Sequence, residues 1–183
     1  MRLDQRRDVI SKLNGCSEIE AFEAAKSIWV DPDERLASLL IRTLKKGLRP
    51  FNRTAAAFAM QIVTTPRTVR ALETALKNKT ENSRVRGEAA EALAHGHRKK
   101  SHDILLIGLL DPNQDVRFWC AFALGEMAEK RALPALKHIA ANDRRVVKGF
   151  HSVAKEAADA IENILSKKSM HARKSRCLFC AID

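Results

Sequence analysis

The stretch Val85-Arg86-Gly87-Glu88-Ala89-Ala90-Glu91-Ala92-Leu93 returns 31 residues later as Val116-Arg117-Phe118-Trp119-Cys120-Ala121-Phe122-Ala123-Leu124. Both read V-R-x-x-small-A-x-A-L. Weaker copies stand at Asn52-Arg53-Thr54-Ala55-Ala56-Ala57-Phe58-Ala59-Met60 and Val153-Ala154-Lys155-Glu156-Ala157-Ala158-Asp159-Ala160-Ile161. The faintest is Glu20-Ala21-Phe22-Glu23-Ala24-Ala25-Lys26-Ser27-Ile28. Taking the Arg position as the marker places the copies at 21, 53, 86, 117 and 154, in steps of 32, 33, 31 and 37. A period in the thirties with apolar residues at helical spacing means two helices per unit, each hairpin hiding its apolar face only by stacking on the next. Small residues at fixed offsets let neighbouring helices approach where a Leu would hold the backbones apart.

Working outward, each copy follows a second amphipathic stretch. Asp31-Pro32, Thr65-Pro66 and Asp111-Pro112 each offer a capping side chain and then a proline for the first helical position. The pattern predicts helices over 3–13, 18–30, 32–46, 51–64, 66–78, 83–95, 101–110, 113–128, 131–141 and 146–166, with no sustained strand alternation. The expectation is an all-α chain: an α-solenoid of about five helix pairs over residues 1–166, followed by a basic tail, 167–183.

Composition agrees with a folded, helical chain. Of the 183 residues 45% are apolar and 30% charged; Gly (7) and Pro (5) are sparse. No apolar run approaches the ~20 residues a membrane span requires, and the first residues have no apolar stretch that could act as a signal peptide. Four unevenly spaced cysteines do not make a disulfide framework, so a cytoplasmic location with reduced thiols is expected. The formal charge is +11. Ser166 to Asp183 carries five cations against one acid, and the rest belongs to the body. Such a balance attracts acidic proteins and nucleic acid alike.

The repeat resembles the HEAT repeat family, particularly the short subtype named after phycobilisome lyases. The best copy runs from Leu106 to Leu136, with Leu109-Leu110-Asp111-Pro112, Val116-Arg117, Ala121-Phe122-Ala123-Leu124-Gly125 and Ala132-Leu133-Pro134-Ala135-Leu136. The likeness covers about residues 18 to 165. It implies a right-handed α-α superhelix, while the family's functions span scaffolds, adaptors, enzyme subunits and a few enzymes. In HEAT repeats an Asp and an Arg of each unit commonly form a polar ladder between successive repeats. Asp111 and Arg117 match both positions. Arg86 and Arg53 match only the Arg, with Thr80 and Gly47 where Asp would stand, so an incomplete, structural ladder is expected.

For binding, the x positions of V-R-x-x-A-A-x-A-L are expected to point away from the inter-helix core. In the fourth unit they hold Phe118, Trp119 and Phe122, where other units carry Thr54, Ala55 and Phe58, or Gly87, Glu88 and Glu91, or Lys155, Glu156 and Asp159. Three large aromatics on one helix suit a partner-binding patch, with Phe58 as its counterpart; packing against an adjacent unit or the tail explains them equally well. Basic residues cluster at turns and second helices: Arg49, Arg53, Arg84, Arg98, Lys99, Lys100, Arg144, Arg145 and Lys148. Stacking would line these up into a face for phosphates, or leave them as an ordinary solvated surface.

No catalytic, metal or cofactor site is expected. Cys177-Leu178-Phe179-Cys180 is a single CxxC, whereas zinc wants four ligands, and only His171 lies nearby. His95-Gly96-His97, with His102, falls at a turn. HEAT-repeat di-iron hydroxylases use His-Glu pairs, and the chain has no His-Glu dipeptide. Gly-rich phosphate loops and nucleophile motifs do not stand out. The reading is therefore a non-catalytic scaffold or adaptor whose partner is a protein, with an acidic surface favoured. A nucleic-acid binder resembling the HEAT-like alkylpurine DNA glycosylases comes second, and an accessory protein resembling phycobilin lyase subunits third.

Overall fold

The computed structural model describes residues 1–95 and 99–166. Ten α-helices follow one another: α1 (Leu3–Leu13), α2 (Glu18–Val30), α3 (Ala37–Lys46), α4 (Pro50–Ala59), α5 (Pro66–Lys77), α6 (Ser83–His95), α7 (Lys99–Gly108), α8 (Gln114–Glu126), α9 (Leu133–Asn142) and α10 (Val153–Ser166). Short 3-10 turns, Glu34–Leu36 and Lys130–Ala132, lead into α3 and α9. No strand forms among the described residues; Val146 and Ser152 make one isolated antiparallel bridge. No helix among them is long and apolar enough to cross a membrane.

Local chemistry sets the helix starts. Ser17 accepts a hydrogen bond from the Glu20 amide at the head of α2. Thr65 and Thr68 exchange side-chain-to-backbone bonds ahead of Pro66, so Thr65-Pro66 opens α5 as the sequence suggests. The other two prolines behave differently. Asp31 ends α2, and the entry to α3 is capped by Asp33, which accepts from the Arg35 amide. Asp111 accepts from the Asn113 amide, and Asn113 in turn caps α8. The 51–64 prediction overshoots: beyond Ala59 the chain loosens into a turn before the Thr65 cap. So does 146–166, because Gly149 adopts a left-handed φ of 81° and the Ser152 hydroxyl caps α10 through the Lys155 amide.

Two compact units divide the chain, Met1–Ile104 and from Leu105 onward. In the first, α1 and α2, α3 and α4, and α5 and α6 form three hairpins. Second helices α2, α4 and α6 pack on one another, and first helices α3 and α5 do the same, giving two layers. The interface between them holds Leu13, Phe22, Ile28, Leu40, Met60, Leu72 and Leu93, all at most 2% exposed. Each such large side chain stabilises the fold by roughly 1.5–3 kcal/mol on burial. In the second unit α10 packs against both α8 and α9. There the small residues do what the repeat suggests: a Cβ placed on Gly125 of α8 would lie 2.8 Å from the Ala160 Cα of α10.

A recurring arginine joins each hairpin to the turn beyond it. The Arg53 guanidinium donates to the Gly47 carbonyl (2.7 Å) and, through Nε and Nη2, to the Glu81 carboxylate (2.9 and 2.8 Å). Arg117 repeats the arrangement with the Asp111 carbonyl and the Asp143 carboxylate, at 2.8 Å from Nε. Arg86 donates to the Leu76 carbonyl (3.1 Å). The ladder is real, but the carboxylate facing Arg117 within its own unit belongs to Asp143, and Asp111 serves through its main chain. Asp111, Arg86 and Arg117 are all buried, which suits a structural role.

Candidate interaction surface

The aromatic patch expected on α8 is an interior cluster. Phe118 and Trp119 are each 2% exposed, and only Phe122 stays half-buried. The turn at Gly149 folds Phe150 back over the helix, so its ring lies 5.5 Å from Phe118 and 5.2 Å from Trp119. Trp119 meets Phe122 edge-on at 5.6 Å. Offset and edge contacts of this kind are how aromatic rings pack in cores. Phe58 is likewise buried, stacked 5.5 Å from Trp29, whose indole Nε1 donates to the Phe58 carbonyl. The expectation that these x positions face outward is therefore corrected for Phe118, Trp119 and Phe58. Second helices pack against each other as well as against first helices, so two faces of each are covered.

The same register carries carboxylates in other units, and these too are buried. Glu88 is fully buried, accepting from Gln61 Nε2 at 2.9 Å. Burial pushes its carboxyl up to about 8, against the opposing pull of Gln61 and Arg84. Glu91 lies one turn on, 2% exposed. In the second unit Glu156 Oε2 lies 2.8 Å from His151 Nε2. With Asp159 they form the one group among the described residues that could hold a metal ion, with ligand atoms within 4.8 Å of one another. The Lys155 ammonium already pairs with Asp159.

The basic residues separate into anchors and free cations. Arg53 is bound to Glu81, Arg84 to Glu18 (2.6 Å) above the Phe22 ring, and Arg145 to Asp143 (2.9 Å). Burial alone would push the Asp143 carboxyl up, but hydrogen bonds from Arg145 and Arg117 hold it below the usual carboxylate range. Arg49, Arg144 and Lys148 are exposed and pair with no carboxylate among the described residues. Arg98, the side chains of Lys99 and Lys100, His97, and the tail with Cys177 and Cys180 lie outside the described residues.

Sequence reasoning passed over a stronger charge signal. Between Glu34 and Glu73 there is no acidic residue, yet eight cations: Arg35, Arg42, Lys45, Lys46, Arg49, Arg53, Arg67 and Arg70. Arg42, Lys45 and Lys46 of α3, and Arg67 and Arg70 of α5, are exposed. Arg67 also reaches the Ser38 hydroxyl (3.3 Å), tying the starts of these two neighbouring helices together. A scan for acid-free windows would have found this stretch; a search centred on the repeat motif did not, because these cations sit mainly on first helices.

Helix hairpins recurring at fixed spacing, stacked through small residues and anchored by a repeated arginine, define an all-α helical-repeat protein. Residues 79–154 match the family model for HEAT repeats, and the chain is a HEAT repeat protein. Such repeats generally mediate protein interactions, and the family is typically non-catalytic. No curated protein matches the chain in sequence.

Proposed function

We propose that this chain is a non-catalytic interaction module whose partner is a protein with an acidic surface. The observation that carries the reading is the HEAT repeat match over residues 79–154, in a family whose members commonly bind proteins. The charge of +11 supports the acidic character of the partner, since opposite charge steers encounter and disfavours wrong partners. Burial of Phe118, Trp119 and Phe58 moves the reading away from an aromatic patch and toward the exposed cations.

Affinity capture with the full chain from native lysate, with and without nuclease, tests it. The expected result is a protein retained after nuclease treatment. Retention of nucleic acid alone, or loss of all captured protein on nuclease treatment, would overturn the reading. The same exposed cations are what favour the second reading, a nucleic-acid binder, for which a mobility shift falling steeply with salt is the signature.

A further inference from the structure

The face of α3 and α5 carries a charge pattern unlike an ordinary solvated surface. Surfaces normally intersperse both signs. Here Arg42, Lys45, Lys46, Arg49, Arg67 and Arg70 are all exposed, and none pairs with a carboxylate among the described residues. Asp8, an acid of α1, is already engaged by Lys12 at 2.8 Å. Six like charges on adjacent helices repel one another, and an anionic partner relieves that repulsion.

A groove of about 300 Å³ opens beside these cations, between α1 and α3. Ile10 (38% exposed) and Leu39 supply its apolar lining, while Arg42 and Lys46 stand along it. The Thr43 hydroxyl donates to the Asn14 side-chain oxygen (3.0 Å), so those two polar groups satisfy each other at its base. A sugar–phosphate backbone has charge for the cations but no apolar side chain for the groove. A polypeptide that alternates carboxylates with leucine-like residues has both.

We infer that the α1–α3–α5 face is a docking surface for an acidic protein segment, which seats an apolar side chain between Ile10 and Leu39 and sets its carboxylates against Arg42, Lys46, Arg67 and Arg70. This rests on the protein-partner reading above and names its surface and chemistry. Affinity comes from several modest charge contacts together with one buried apolar contact, so it is salt-sensitive without being abolished by salt.

The test is fluorescence anisotropy of the full chain with three labelled probes. They are a synthetic Asp/Glu peptide with interspersed leucines, the same peptide with serine replacing leucine, and a single-stranded oligothymidylate of equal charge. The leucine peptide binds tightest. R42E/K46E and R67E/R70E each weaken it by about tenfold or more, as two reversed exposed charges should, with helical circular dichroism unchanged. The neutral pair R42Q/K46Q, which introduces no new charge, gives a smaller loss in the same direction. Three results would overturn the inference: equal binding of the serine peptide, oligothymidylate binding as tightly as the leucine peptide, or peptide binding indifferent to these substitutions. If R42E/K46E still captures the wild-type partner protein after nuclease, the protein-binding reading stands and this face is wrong. If the wild type captures no protein, the broader reading itself fails.

Discussion

Replacing Glu88 by Gln is the sharpest probe of the interior. The native side chain is fully buried on α6, with Oε1 accepting from Gln61 Nε2 and Oε2 without a hydrogen-bond partner. Burial raises its carboxyl to about 8 from an ordinary 4.5. In that window the folded chain holds a proton the unfolded chain has released. Stability therefore falls as pH rises, by about 1.4 kcal/mol per pH unit while the difference is one full proton. Below pH ~4.5 both states are protonated, and above pH ~8 both are ionised, so the slope vanishes outside the window. The Glu88→Gln variant keeps the shape and removes the proton. Between pH 5 and pH 8 its stability relative to wild type should rise by roughly 3 kcal/mol. Urea unfolding at several pH values, followed by circular dichroism, reads this directly. A wild-type-minus-variant difference that stays flat from pH 5 to pH 8 would refute the reasoning, because the carboxyl would then be charged and compensated in the fold.

Other consequences follow from particular contacts. Arg117→Met strips the buried Asp143 of its ion-pair partner and orphans the Asp111 carbonyl, and should cost about 2–4 kcal/mol in urea titrations. Asp143 itself is held below the usual carboxylate range, so it contributes stability above pH ~4 that is lost as pH falls further. Asp143→Asn should flatten that acid limb. Gly125→Ala forces a Cβ to 2.8 Å from Ala160. Overpacking of about 1–3 kcal/mol there outweighs the gain of up to about 1 kcal/mol in helix propensity, for a net loss on thermal melting that Ala160→Gly restores.

Helix existence and order were legible because the repeat writes them several times over; α1 and α2 have the bounds their apolar spacing predicts, Leu3–Leu13 and Glu18–Val30. What escaped was set by long-range contact. The unwinding of 146–152 depends on Gly149 turning left-handed, which lets Phe150 reach α8. That same reach buries Phe118 and Trp119, and no periodicity on α8 alone could reveal it. The ladder arginines were legible as structural, but their carboxylates, Glu81 and Asp143, stand 28 and 26 residues further along, outside any local motif. Arg53 and Arg145 were read as surface cations for the same reason: a charge and its partner look independent until the turn that joins them is known.

Site-specific photo-crosslinking asks the central question most directly. With a photoreactive residue replacing Lys45 on α3, the account predicts a crosslink to an acidic, leucine-bearing protein segment, identified by mass spectrometry. The same residue at exposed Glu162 on α10 should not give that crosslink. Crosslinks from Lys45 to nucleic acid, or the same protein captured equally from both positions, would contradict it.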